Sequence, residues 1–262
     1  MSVPCILEST GMYHLPVALM VTNAGYRVNC INPLITKRYQ RSSVRNAKTD
    51  TIDALRLATI GVQEVDLPIF RADPKMIEAR KIVGYIGKLE TVKGELVASM
   101  KALLHLKSMT GLSVDLRETK EALKELDGQI KTLLKEVSKR IPQDTIEKIL
   151  IKGVSAASIS RMLSIICDKD FKSRDALVAF VGLDVMPRES GMWKGRGRLS
   201  KRGNGYARKI LFQMAWGLKQ HNPEYKKKYD ELRQRGLNYK TCLLSLSRKY
   251  LRFVYGQLWK KS

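Results

Sequence analysis

Cysteine is sparse in this sequence, acidic residues are few, and no apolar run is long. The four cysteines, Cys5, Cys30, Cys167 and Cys242, are scattered and form no CxxC pair. That argues against a zinc site or a disulfide framework and leaves free thiols in a reducing compartment as the expectation. No uninterrupted apolar stretch approaches the roughly 20 residues that a membrane-crossing helix needs. The first residues also lack the charged flank and apolar core of a secretory leader, so a cytoplasmic protein with no membrane partner is expected.

What the sequence has in excess is positive charge. Lys and Arg number 48 against 25 Asp and Glu, giving a net charge of +23 and a pI near 10.0. Residues 185–262 hold 20 of the basic residues and 4 of the acidic ones, so +16 of the total is concentrated there. Such a segment neutralises a polyanion and releases its counterions, and nucleic acid is the first candidate. Hydrophobic residues make up 44% of the 262, enough to build a core, so the chain is not disordered throughout.

The hydrophobic pattern predicts a mixed α/β segment followed by helices. Val3 to Leu7 reads as a strand ending at Glu8, Met12 to Asn23 as a helix closed by Gly25, and Tyr26 to Ile31 as a second strand closed by Asn32-Pro33. Strand, helix and strand in succession imply a parallel unit. Lys37 to Ala47 reads as a basic loop or short helix, and Asp50 to Gly61 as a helix. Pro68 and Pro74 mark a linker. Beyond it Ile82, Leu89, Leu96 and Leu103 recur every seven residues, as do Leu116, Leu123, Ile130 and Val137. These are a/d heptads. Gly111 and Ser113 between them point to an antiparallel helical hairpin, although the pattern fits association between chains equally.

From Asp144 the pattern changes again. Thr145 to Leu150 and Ala156 to Ile166 read as short helices around Lys152-Gly153-Val154-Ser155, a helix-hairpin-helix whose Gly153 amide region can hold a phosphate. Asp175 to Val181 reads as a helix ended by Gly182, Pro187 to Asn204 as an exposed basic loop, and three helices finish the chain. Trp216, Tyr250, Phe253 and Trp259 stand at helical spacing and are expected in the core. The boundaries expected are 1–67, 68–140 and 141–262.

Two groups of residues carry chemistry. Glu8 stands at a strand end, and Asp50 and Asp53 lie three apart on a helix, so their carboxylates share a side. Three hard oxygen ligands of this kind suit Mg²⁺ and leave room for phosphate oxygens. In the basic segment, Ser190 and Ser200 are hydroxyls among Arg188, Lys194, Arg196, Arg198, Lys201, Arg202 and Arg208. These cations can neutralise phosphate charge, while Gly191 and Gly195 let backbone approach a ligand closely.

Glu8-Ser9-Thr10-Gly11-Met12-Tyr13, Asn32-Pro33 and Lys48-Thr49-Asp50-Thr51-Ile52-Asp53-Ala54, in that order, resemble the RuvC-like domain of the DEDD insertion-sequence transposases, the family that includes the Piv-type DNA invertases. Gly182-Leu183, Pro187, Ser190-Gly191, Gly197, Ser200-Lys201, Gly203-Asn204 and Arg208 resemble that family's C-terminal domain. The resemblance covers nearly the whole chain. It implies a partial RNase H/RuvC-like α/β unit, an antiparallel coiled-coil connector and a mostly helical C-terminal domain.

The resemblance also implies roles. Glu8, Asp50 and Asp53 would be Mg²⁺-binding catalytic acids, and Ser190 the nucleophile that forms a transient 5′-phosphoserine link to DNA. A structured guide RNA and a homo-oligomer, dimer or tetramer, would be partners, with acids and serine meeting across subunits. The family's first Asp precedes the ExTG motif and has no match, so an N-terminally truncated copy with impaired strand exchange is expected. The competing readings are a non-catalytic nucleic-acid-binding remnant, a RuvC-like junction nuclease that uses water in place of Ser190, and a coiled-coil scaffold.

Overall fold

The computed structural model describes residues 4–10, 13–41, 49–64, 67, 69–70, 73–111, 114–167, 169–190 and 193–260. For 40, 41, 186–190 and 193–198 it describes the backbone alone. Gly11, Met12, Ala47, Lys48, Pro68, Ser113 and Gly191 lie outside the described residues. The chain divides into two compact units, Met1–Pro74 and Lys75–Ser262.

In the first unit β1 (Cys5–Glu8) and β2 (Val28–Ile31) pair in parallel, with Glu8 opposite Ile31. The connection is α1 (His14–Asn23), after which Gly25 takes φ +86°, a left-handed turn that glycine adopts without a Cβ penalty. The outer edge of β2 is covered at Asn29, which bridges Ile69, while the Phe70 amide donates to the Val28 carbonyl at 2.8 Å. Pro33 opens α2 (Pro33–Arg41), so the helix starts ahead of the basic run rather than within it. The last helix of the unit is α3 (Asp50–Gln63), whose N-cap is Thr49: its hydroxyl accepts from the Ile52 amide at 3.3 Å. Gly61 lets α3 lie against β1, since a Cβ there would meet Ile6 at 2.8 Å. Ala18, Val28, Ile31 and Ile60 are buried between these elements.

The second unit begins with the long α4 (Pro74–Thr110) and α5 (Arg117–Arg140). Arg140 pairs with Glu78 at 3.0 Å, and Lys93 pairs with Asp127. Moving up α4 therefore moves down α5, and the helices run antiparallel. In that register Ile82 stands level with Val137 and Leu89 with Ile130, and Val137 and Ile130 are buried. Toward the far end the same seam opens: Leu96 is 42% exposed and Leu103 is 39% exposed.

The rest of the unit is a helical body made of α6 (Gln143–Ile149), α7 (Ala156–Ile166), α8 (Arg174–Val181), α9 (Gly205–His221), α10 (Pro223–Gln234) and α11 (Tyr239–Leu258). From α7 onward each start has a sequence cause. Ser155, Ser173, Asn204, Asn222 and Asn238 cap α7 to α11 with side-chain oxygens that accept from amides two or three residues on, which satisfies donors the helix cannot. α7 is the hub, with Ile159, Met162, Leu163 and Ile166 fully buried. Glu90 of α4 accepts from Arg161 of α7 at 2.9 Å and from Lys209 of α9 at 2.8 Å, and this joins three helices.

Two expectations for this unit change. Residues 187–204 are not one loop: β3 (Val185–Ser190) and β4 (Trp193–Leu199) form an antiparallel hairpin. The alternation that marks β4, with Lys194, Arg196 and Arg198 at every second position, is obscured in the sequence by Gly195 and Gly197. Tyr250 is buried as expected, but Trp216 is 49% exposed and is not a core residue. Gly153, with φ +101°, approaches α9 closely: a Cβ there would lie 2.7 Å from the Gly217 carbonyl oxygen. Packing against Gly217 is thus one requirement for glycine here, beside the phosphate role expected of it.

Candidate functional site

The acids come first. Parallel pairing brings the end of β1 beside the end of β2, and α2 starts directly after β2. Thr36, one turn into α2, donates its hydroxyl to Glu8 Oε2 at 2.6 Å, with the Pro33 carbonyl at 2.9 Å as the alternative acceptor for the same proton. Asp53, in the first turn of α3, accepts from Arg56 Nη1 at 2.9 Å. Glu8, Thr36, Lys37, Asp53 and Arg56 line one cavity of about 330 Å³. The fold therefore brings together two of the three acids. Asp50 is exposed at the first position of α3 and does not line that cavity. Among the described residues the side-chain cap of this helix comes from Thr49, not from the Asp50 carboxylate.

Among the described residues no group of three His, Cys, Asp or Glu is close enough to hold a metal ion. The donors nonetheless have the right chemistry. The bonds from Thr36 and Arg56 each occupy a single oxygen of Glu8 and Asp53, and a carboxylate has about four acceptor positions. Hard oxygens of this kind suit a hard divalent cation. Thr36, Lys37 and Arg56 escape a reading of the sequence. Thr36 follows the Asn32-Pro33 pair by one turn and Arg56 follows Asp53 by three positions, and only the folded unit shows that both spacings serve one cavity.

The second group lies on the β3–β4 hairpin. Ser190 is the last residue of β3 and pairs with Trp193, the first of β4, so the serine sits at the hairpin's far end. Arg188 pairs with Gly195 across the hairpin, Glu189 with Lys194, and Met186 with Arg198, with a register shift between Met186 and Arg188. Alternate positions of a strand share a face, but the register shift interrupts the alternation: Lys194 is paired with Glu189 and Arg198 with Met186, three residues apart on β3, so these two cations do not hold equivalent positions along the hairpin. Ser200 is different. Its hydroxyl donates to the Asp184 carboxylate, and its amide donates to the Asp184 carbonyl at 3.0 Å. A hydroxyl held this way is committed at the hairpin's base, which leaves Ser190 as the serine at the tip.

The remaining cations fall beyond β4. Lys201 and Arg202 are exposed, and Lys201 has φ +52°. Arg208 is turned inward, its Nη1 donating to the carbonyls of Val181 at 3.0 Å and Gly203 at 3.2 Å. That guanidinium serves the protein's own backbone first.

Two family models match the chain. A DEDD transposase model of the IS110 type matches residues 2–109, and the model described as the transposase IS116/IS110/IS902 family matches residues 149–230. The pilin gene-inverting proteins of Moraxella lacunata and Moraxella bovis are each 25% identical over 261 residues, covering 96% of this chain and 78% of their own length. The first matched segment contains the Glu8–Asp53 cavity, and the second contains the hairpin with Ser190 and its anchoring loop. The chain belongs to the IS116/IS110/IS902 family of insertion-sequence transposases.

Proposed function

We propose that this transposase exchanges DNA strands through a serine nucleophile, Ser190, and a divalent cation, Mg²⁺, held by Glu8, Asp53 and Asp50. Membership of the family makes DNA the partner and a DEDD-type, metal-dependent reaction the general chemistry. The observation that supports the finer reading is the cavity lined by both Glu8, from a strand end, and Asp53, from a separate helix. A bound cation there would polarise a phosphodiester oxygen and stabilise developing negative charge.

In the step itself the Ser190 hydroxyl oxygen bonds to phosphorus, and the bond from phosphorus to the 3′ oxygen breaks. The serine's proton ends on the departing 3′ oxygen, giving a free 3′ hydroxyl and a 5′-phosphoserine. A second strand's 3′ hydroxyl then attacks the same phosphorus and displaces the serine, so no bond energy is lost to water. Arg188, Lys194, Arg196, Arg198, Lys201 and Arg202 supply counter-charge for the backbone, and Lys152 beside Gly153 adds one more. Arg208 supports the loop rather than the phosphate.

A guide RNA and a homo-oligomer complete the proposal. The charge excess beyond Val185 favours a polyanion of either kind, and the seven-residue seam of α4 and α5, open at its far end, supplies apolar surface for a second copy. The RuvC-like reading of the first unit is favoured by its parallel β–α–β order with an acid at a strand end. A junction nuclease acting through water would tolerate Ser190→Ala. The deciding experiment traps a covalent protein–DNA adduct with Mg²⁺, DNA carrying the ends of the encoding element, and RNA transcribed beside it. An adduct abolished by Ser190→Ala is expected. An adduct unaffected by that change, or cleavage without any adduct, would remove the serine mechanism.

A further inference from the structure

We infer that Asp184, Ser200 and Arg208 form a positioning device that aims the β3–β4 hairpin, and hence Ser190; this rests on the reading of Ser190 as nucleophile. Asp184 immediately precedes β3 and Ser200 immediately follows β4. Two bonds close the hairpin between them, from the Ser200 amide to the Asp184 carbonyl and from the Ser200 hydroxyl to the Asp184 carboxylate. The Ser200 oxygen in turn accepts from the Arg202 amide at 3.3 Å. One turn below, Arg208 of α9 bridges the carbonyls of Val181 and Gly203, one on each stem of the hairpin.

The stems have no slack. A Cβ on Gly182 would lie 2.5 Å from the Arg202 oxygen, and one on Gly203 would lie 2.3 Å from the Phe180 oxygen. Between those contacts Lys201 keeps a left-handed backbone, φ +52°, a conformation that a side-chain-bearing residue holds only where neighbours impose it. The base of the hairpin is therefore rigidly tied to α8 and α9, while its tip carries the serine.

The lever makes this matter. Six residues of β3 at about 3.3 Å each put Ser190 roughly 20 Å from the base. A tilt of about 5° at the base then moves the tip by about 2 Å, and a misplacement of about 1 Å can cost a reaction on the order of a hundredfold. Asp184 and Ser200 act on Ser190 through the hairpin and touch no reacting atom; they are positioning residues.

The test compares adduct formation at saturating DNA, DNA affinity and melting temperature for the full chain and for Asp184→Ala, Ser200→Ala, the double variant, Ser200→Thr and Ser190→Ala. The expected result is a fall of about tenfold or more in adduct rate for each single variant, no further fall in the double variant, recovery in Ser200→Thr, and unchanged DNA affinity. Unchanged adduct rate in Ser200→Ala, or a loss that only follows affinity and melting, would overturn the device. An adduct that survives Ser190→Ala overturns the nucleophile reading instead. Hydrogen exchange reads the device without chemistry: Asp184→Ala is expected to speed exchange at the β3–β4 amides but not at α7, and unaltered hairpin exchange refutes it whatever the adduct assay gives.

Discussion

Gly203 lies so close to Phe180 that a single added carbon would come within 2.3 Å of the Phe180 carbonyl oxygen. With φ at +138°, the position combines a backbone collision with a conformation that side chains rarely adopt. Gly203→Ala is expected to cost about 3 kcal/mol or more. Gly236 is the internal control, with φ +79° and open space around it, so Gly236→Ala should cost only about 1 kcal/mol. Urea unfolding followed by circular dichroism separates the two.

Burial of the Tyr250 phenol gives a second test. Its hydroxyl donates to the Ile149 carbonyl at 2.9 Å in a fully buried setting, and removal of the hydroxyl should cost about 1–2 kcal/mol. Burial also raises the Tyr250 and Tyr225 phenols above their ordinary value of 10.0. The folded state then keeps protons that the unfolded state gives up. This contribution is complete below pH 10 and is lost as pH rises beyond it. Tyr250→Phe should flatten the alkaline fall in melting temperature. An equally steep fall in both proteins would contradict the assignment.

Glu90 is the acceptor for two cations from two other helices. The Arg161 side chain is only 10% exposed, and its Nε has no partner among the described residues. Glu90→Ala would leave a buried guanidinium without its carboxylate, at a cost of about 3 kcal/mol. Lys209, at 44% exposure, is nearer solvent, so Lys209→Ala should cost at most about 1 kcal/mol. Calorimetry on the two variants checks the order.

For the acid cavity, Mg²⁺ or Mn²⁺ is expected to raise the melting temperature of the first unit through binding linkage. Glu8→Gln and Asp53→Asn should abolish that rise, and Asp50→Asn should reduce it. A rise that persists in Glu8→Gln places the metal elsewhere.

Salt dependence reads the basic face. Neutralising Arg196, Arg198, Lys201 and Arg202 together should weaken DNA binding and flatten its dependence on salt, by a slope of about 0.9 for each phosphate that no longer meets a cation. Neutralising Arg208, which is engaged with Val181 and Gly203, should lower stability more than it lowers the slope.

Most of the fold can be read from residue order because local rules and tertiary packing agree. The pattern predicts a helix from Ala156 to Ile166, and α7 occupies those residues, since Ser155 caps it and its apolar residues repeat at helical spacing. Strands β1 and β2 are legible in their apolar runs and pair in parallel through α1. The hairpin is not, because Gly195, Gly197 and a dense run of cations look like loop chemistry, although Lys194, Arg196 and Arg198 carry the period-two spacing. The site is legible as residue types and not as geometry. Sequence spacing places Asp50 with Asp53, whereas in the fold Asp53 and Glu8 line one cavity together with Thr36 and Arg56. In sequence Ser200 rivals Ser190, and its bond to Asp184 shows where its hydroxyl is spent.

The register of α4 against α5 makes this pair of helices a ruler. Glu78 meets Arg140 and Lys93 meets Asp127 in one continuous antiparallel alignment, so the alignment is kept if both helices gain or lose the same whole heptad. Each such step would lengthen or shorten the arm by about 10 Å, seven residues at 1.5 Å, without disturbing the buried body around α7. Insertions in only one helix would break every pairing beyond them. The arm's span can therefore drift in evolution only in quanta, and only when both halves change together.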